Sequence, residues 1–256
     1  RGVVNFNGTT LQTISGDSVT RFELINLNNT NNVSLSRSII VDSLLTFTNG
    51  KLITNNDTCI VRHISTTAIS SYNNLKYIAG KVRRYMINAT YDIPIGDINN
   101  YELVKMAVSS SSGLSYIDFS FTENHTLTPP PALTVGGKLV GEFLNYGYWT
   151  ISANTGLSSI TYDITLQSQG HTNGGGIPEY YCVVIDTTYG VSSWIDYGVH
   201  SDYTQQINGD FILAKRSTLN RLGNFVIGKR YEDNYSQPNV TREFVNNGAK
   251  IKVPNS

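Results

Sequence analysis

Charge is scarce in this chain. Only 15% of its 256 residues are Asp, Glu, Lys or Arg, against about 25% in an ordinary globular domain. The 19 basic and 19 acidic residues cancel. That balance excludes the one-sided positive field that nucleic acid or an anionic membrane requires, and no nucleic-acid partner is expected. No apolar run reaches the ~18 residues of a membrane-spanning helix, so membrane insertion is not expected either. Cysteine is nearly absent. Cys59 and Cys182 stand far apart and leave two readings open, a cross-link between the halves in an oxidising compartment or two separate buried thiols. The four histidines, His63, His125, His171 and His200, fall in no metal-ligand spacing, so neither a metal nor a cofactor is expected. Helical periodicity is missing as well, and no stretch of three turns carries it. The chain opens at Arg1 without an initiator methionine or a signal peptide, and is expected to be a processed product, a fragment or an engineered form.

What the sequence has instead is Asn, Ser and Thr between very short apolar runs. Phe22-Glu-Leu-Ile-Asn-Leu, Val33-Ser-Leu, Ile39-Ile-Val-Asp-Ser-Leu-Leu-Thr-Phe and Leu52-Ile are each too short for a helix. Gly8, Gly16, Asn31-Asn32, Asn49-Gly50 and Asn55-Asn56-Asp57 separate them. Asn and Gly tolerate positive φ, so each is a place to turn the chain. Residues 1–80 thus fit stacked, partly parallel β rungs or a meandering antiparallel sheet. The stack is favoured, because Asn on successive turns can share amide hydrogen bonds along a solenoid.

Residues 81–231 read differently, as an antiparallel β-sandwich. Tyr101 to Val108 alternates, as does Tyr116-Ile-Asp-Phe-Ser-Phe, with Ser109–Gly113 expected as the hairpin loop between them. Arg83 and Arg84 put one arginine on each side of a strand, which marks an edge or charges paired with a neighbour. Thr128-Pro-Pro-Pro-Ala is a stiff connector. Six further strand-like runs begin at Gly147, Ile160, Tyr180, Trp194, Gly209 and Asn224. Residues 232–256 form a C-terminal linker and strand, and the strand must pair within its own sheet, with a following module or with the edge of a neighbour. The fold class is therefore all-β: a short N-terminal solenoid-like stack, an antiparallel sandwich and a C-terminal extension strand.

The order of motifs resembles modules of large secreted and cell-surface proteins of Bacteroidota exported by the type 9 route. The resemblance rests on Val4-Asn-Phe-Asn-Gly, Gln12-Thr-Ile-Ser-Gly, the Leu24 to Asn32 run, Leu45-Thr-Phe-Thr-Asn-Gly-Lys-Leu, Tyr77-Ile-Ala-Gly-Lys-Val-Arg-Arg, Tyr91-Asp-Ile-Pro-Ile-Gly-Asp, Tyr148-Trp-Thr-Ile-Ser and Phe225-Val-Ile-Gly. It spans about residues 3–229, and Ile93 stands where these modules usually carry Phe before the proline. It implies a solenoid plus sandwich used as a building unit of adhesins and surface layers. Asp17-Ser-Val, Asp42-Ser-Leu and Asp186-Thr-Thr resemble that phylum's O-glycosylation signal, and eight Asn-x-Ser/Thr sequons accompany them.

No catalytic chemistry is expected. Asp92, Asp97, Asp118 and Asp163 have no spacing that makes two carboxylates converge, and no Gly-x-Ser-x-Gly elbow is present. Asp97-Ile-Asn-Asn has oxygen ligands at alternate positions but lacks the Gly and Glu of a calcium loop, so an Asx turn is expected. The chain reads as a non-enzymatic, extracellular, cell-surface structural or adhesive protein. It is expected to self-assemble as a homo-oligomer, or to pair with a neighbouring module of the same polypeptide, through the C-terminal strand Lys250, Ile251, Lys252 and Val253. The alternative is a carbohydrate-binding module in which Tyr189, Trp194, Tyr197 and Tyr203 meet a glycan ligand, since aromatic faces suit both sugars and protein partners.

Overall fold

The short apolar runs of the first 85 residues become rungs of a parallel stack in the computed structural model. It describes residues 2–231 throughout, together with the backbone of 243–246 and 249–252. The stack comprises β1 (Val3–Phe6), β2 (Gln12–Ile14), β3 (Thr20–Asn28), β4 (Val33–Leu35), β5 (Ile39–Asn49), β6 (Leu52–Val61), β7 (Ile69–Ser70) and β8 (Ile78–Tyr85). Every pairing among them is parallel, as in β1 on β3 on β5 and β2 on β4 on β6. The repeat is about 20 residues, since Leu27 pairs with Phe47 and Ile39 with Cys59. Val4, Ile25, Leu45 and Ile69 consequently form one column, and all but Val4 are buried. The polar residues stack too. Asn26 Nδ2 donates to Asn5 Oδ1 at 3.0 Å, Thr48 Oγ1 to Asn26 Oδ1 at 2.8 Å, and Asn49 Nδ2 to Asn28 Oδ1 at 2.7 Å. The surplus of Asn in this region is thus structural, as the stacked reading required. Gly50 does not close an antiparallel hairpin. It turns a corner between β5 and β6, which then pair in parallel.

The remaining strands are β9 (Thr90–Ile93), β10 (Ile95–Gly96), β11 (Val104–Ser112), β12 (Tyr116–Glu123), β13 (Thr134–Val135), β14 (Lys138–Phe143), β15 (Gly147–Ala153), β16 (Ser159–Ser168), β17 (Tyr181–Asp186), β18 (Gln206–Asn208), β19 (Phe211–Leu219) and β20 (Gly223–Arg230). They divide between two layers. One continues the stack through β8, β12, β15 and β20 to β14 and β13. The other is a five-stranded sheet in the order β18-β19-β16-β11-β9. β8 belongs to both regimes: Val82 pairs in parallel with Cys59 on one side and antiparallel with Phe119 on the other. The expected boundary at residues 80/81 therefore falls inside a strand, and one apolar core runs from Ile14 in the stack to Ile227 in the sandwich.

Two expectations need correction. β11 and β12 are not a hairpin. β11 runs through Ser112 and pairs with β16 and β9 in the second layer, while β12 pairs with β8 and β15 in the first, so the chain crosses between layers there. The run at Trp194 is no strand either. It makes isolated bridges at Ile195 and Val199 within a loop packed on the outer face of the first layer. That loop explains why β17 and β20 read as continuous apolar runs, because both of their faces are covered. Cys59 and Cys182 are free thiols, buried in different clusters, and burial pushes both up to about 12. Two separate buried thiols is thus the reading that holds.

Arg83 and Arg84 pair with their neighbours and mark no edge. Arg83 forms two parallel hydrogen bonds to Asp118 at 2.7 and 2.8 Å, and its guanidinium lies 3.9 Å from the Tyr116 ring centre. Arg84 is buried and donates to the carbonyls of His63, Ser65 and Tyr85, so its charge is spent on the loop after β6.

Candidate functional site

No strand among the described residues covers the first rung of the stack. Among the described residues β1 pairs only with β3 and β2 only with β4, so the outer edge of each carries no partner. Val4 shares register with the buried Ile25, yet it is 40% exposed because no described strand lies above it. Val3, Leu11 and Val19 are exposed beside it. Solenoids ordinarily close such an end with a polar cap, and edge strands are usually blunted by charge or proline. The residues of β1 and β2, Val-Val-Asn-Phe and Gln-Thr-Ile, contain neither. Asn5 ends the amide ladder with its Oδ1 engaged by Asn26 and no partner for its Nδ2 among the described residues.

The residues singled out from sequence are spread over the molecule. The C-terminal segment places β22 (Ala249–Lys252) antiparallel to β21 (Glu243–Asn246), with Lys250 opposite Val245, Ile251 opposite Phe244 and Lys252 opposite Glu243. Val253 lies outside the described residues. The four aromatics do not make one platform. Trp194 is 3% exposed, set edge-on against Phe143 with its Nε1–H bonded to the Val191 carbonyl at 3.0 Å. It has no face to offer a sugar and is withdrawn from the set, because the loop folds it onto the apolar outer face of β17 and β20. Tyr203 is 92% exposed on a single-turn helix, Asp202–Thr204. Tyr189 and Tyr197 are brought towards each other through Asn220, which lines a cleft with Tyr189 and accepts the Tyr197 hydroxyl on its Oδ1.

The polar groups of the interior hold loops. Asp97 is the Asx turn expected: its Oδ1 accepts the N–H groups of Asn99 at 2.6 Å and Asn100 at 2.8 Å. The Tyr146 hydroxyl bonds its other oxygen. Arg216 donates to Asp196 and to the carbonyls of Tyr197 and Gly198. Arg230 donates to Asp202 and to the carbonyls of Val135 and Glu179. His200 meets Asp202 at 2.8 Å, and its Nδ1 is buried without a partner, so no hydroxyl shares that ring. Among the described residues no group of three His, Cys, Asp or Glu is disposed to hold a metal ion. The sequence reading missed Arg216, Arg230 and Glu102, although a parity signal marks two of them. Glu102 is in phase with buried Val104, Met106 and Val108, and Arg216 with buried Ile212 and Ala214.

Glu102 is fully buried. Its Oε1 accepts the Gln169 N–H at 3.0 Å and its Oε2 has no partner. Burial holds its carboxyl well above the ordinary carboxylate range, against the pull of the Gln169 N–H. Such a group binds its proton more tightly folded than unfolded. Its contribution to stability therefore declines as pH rises from the unfolded value near 4.3 through the folded one. Glu102→Gln is expected to raise stability by about 1–3 kcal/mol at about pH 8 and to change it little at about pH 4. Urea titrations at both values check this. Equal stabilities of variant and parent at the higher pH would contradict the sign.

Searches against protein-family models, curated proteins and solved structures returned no match for this chain.

Proposed function

We propose that this chain is an extracellular structural or adhesive module that works by adding β-structure edge to edge, as a subunit of a surface filament or layer. The observation that carries the reading is the first rung, unpaired on its outer edge among the described residues, with apolar Val4 presented over Ile25 and no charge or proline on β1 or β2. An uncovered parallel edge gains main-chain hydrogen bonds and apolar burial when a strand is laid on it. The C-terminal segment that includes Lys250, Ile251, Lys252 and Val253 is the donor in this scheme. Low charge favours close approach of copies, because little Coulomb repulsion opposes it. The resemblance of the motif order to cell-surface modules of Bacteroidota points the same way.

Light scattering and electron microscopy on residues 1–256, on 1–231 and on full-length Val4→Lys test it. Oligomers or filaments are expected from the first chain alone, since lysine at the end of the stack would be buried by the next rung. Association that survives both changes would sink the scheme, as would a full-length chain that stays monomeric at high concentration.

A further inference from the structure

A second surface lies where the turn carrying Tyr189 meets residues 153–160 and 220–222. Tyr189 has φ +60°, a left-handed conformation that a bulky side chain adopts only under constraint. The constraint is visible on both sides of the turn. Asp186 accepts the N–H groups of Thr188 at 2.8 Å and Ser193 at 2.9 Å, and Asn224 Nδ2 holds the Gly190 carbonyl. The Tyr189 hydroxyl reaches back to the Ile151 carbonyl at 3.2 Å, so the ring is laid across the sandwich end while 47% of the residue remains exposed. Strain maintained by this many contacts is found where a side chain must be presented in one pose.

The ring borders a cleft of about 340 Å³, within the range of small-molecule sites. Its opposite wall is equally fixed. Asn220 is anchored through its Oδ1 by the Tyr197 hydroxyl, and the next carbonyl, Arg221 O, accepts the Tyr162 hydroxyl at 2.6 Å. Asn220 is exposed, and its Nδ2 has no partner among the described residues. Exposed Thr155 and Ser159 also line it, and Leu157 and Leu222 supply apolar surface. No charged side chain lines the cleft. A flat aromatic face, apolar patches and neutral donors in one small concavity match a ligand that is itself apolar on its faces and hydroxylated at its rim.

We propose that this cleft binds a neutral pyranose residue of an oligosaccharide. The sugar's C–H face lies on the Tyr189 ring, and its hydroxyls meet Asn220 Nδ2, Thr155 and Ser159. The site goes beyond the assembly reading, since neither the open rung nor the C-terminal segment takes part. Preorganisation is what makes so small a contact worth having, because both walls are ordered before the ligand arrives.

The test uses full-length protein and four hexasaccharides, of β-1,4-glucose, β-1,3-glucose, β-1,4-N-acetylglucosamine and α-1,6-mannose, read by amide chemical shifts. At least one is expected to shift residues 154–160, 187–190 and 220–222 with a dissociation constant of about 0.1–10 mM. Tyr189→Gly removes the ring and relieves the positive φ, so it keeps the fold, and it is expected to weaken binding at least about tenfold. Tyr189→Phe keeps the ring and is expected to retain binding. The proposal is overturned if no hexasaccharide shifts these residues at about 20 mM, or if Tyr189→Gly binds as well as the parent.

Discussion

Gly50→Ala is expected to cost the fold about 3–5 kcal/mol, the upper end of single-substitution effects, where overpacking and strain at a special φ/ψ act together. Gly50 has φ +75° at the corner between β5 and β6, and a Cβ there would overlap the carbonyl oxygen of Asn29 in the rung beneath. Asn29 cannot retreat. Its own carbonyl accepts the Asn32 N–H at 2.9 Å, its N–H donates to the Asn49 carbonyl at 3.3 Å, and its Nδ2 holds the Thr10 carbonyl at 2.7 Å. Moving one corner therefore drags the corners above and below it. Gly137→Ala is the control. It shares a positive φ of +79° but meets nothing within 4 Å, so only the conformational penalty of about 1 kcal/mol applies. Urea unfolding followed by circular dichroism separates the two. A loss below about 1 kcal/mol for Gly50→Ala would mean that the corners are not rigidly stacked.

The second large effect is expected at Arg84. Its removal strands the carbonyls of His63 and Ser65, which the guanidinium holds from inside the protein. Each lost hydrogen bond from the charged guanidinium costs about 1.5–3 kcal/mol, and Arg84→Ala leaves a cavity besides. We expect a total near 4 kcal/mol. Arg84→Lys should recover less than half of it, because one ammonium cannot fork to carbonyls two residues apart. Burial pushes the Arg84 pKa down to about 10, so the guanidinium stays charged at neutral pH and continues to donate to these carbonyls. Tyr91 braces the same loop: its hydroxyl donates to the Ile64 carbonyl at 2.7 Å and its ring lies 5.1 Å from the guanidinium. Tyr91→Phe combined with Arg84→Ala should thus cost less than the sum of the two. Strict additivity would show that the two side chains secure the loop independently.

The stack was the most legible part of the sequence. Runs as short as Val33-Ser-Leu, separated by Asn and Gly, leave a chain few options except to turn and stack. The Asn ladder supplied a reason to prefer parallel rungs over a meander. The sandwich was legible as strands but not as pairings. Nothing in Tyr101 to Phe121 says that the chain crosses from one layer to the other at Ser115, because a crossing and a hairpin use the same small polar residues. The Trp194 run has the alternation of a strand but lies in a loop, since its anchor, Arg216, is remote in sequence. Aromatic composition alone could not separate Trp194, which packs inward, from Tyr189, which faces out. The cleft was less legible still. Its lining comes from residues 153–160, 189 and 220–222, brought together only by the layering of the sandwich.

β8 has one more consequence, a mechanical one. Multidomain surface proteins commonly bend at peptide linkers, where a few rotatable bonds separate two bodies. Here the transition from stack to sandwich occurs across the width of a single strand, with Cys59, Val82 and Phe119 in one hydrogen-bonded row. To swing one part against the other, ladder bonds at about 1 kcal/mol each would have to break together. The angle between the two is therefore fixed by the twist of one sheet. A pull applied at the first rung reaches the sandwich as tension across its strands, with no slack taken up on the way.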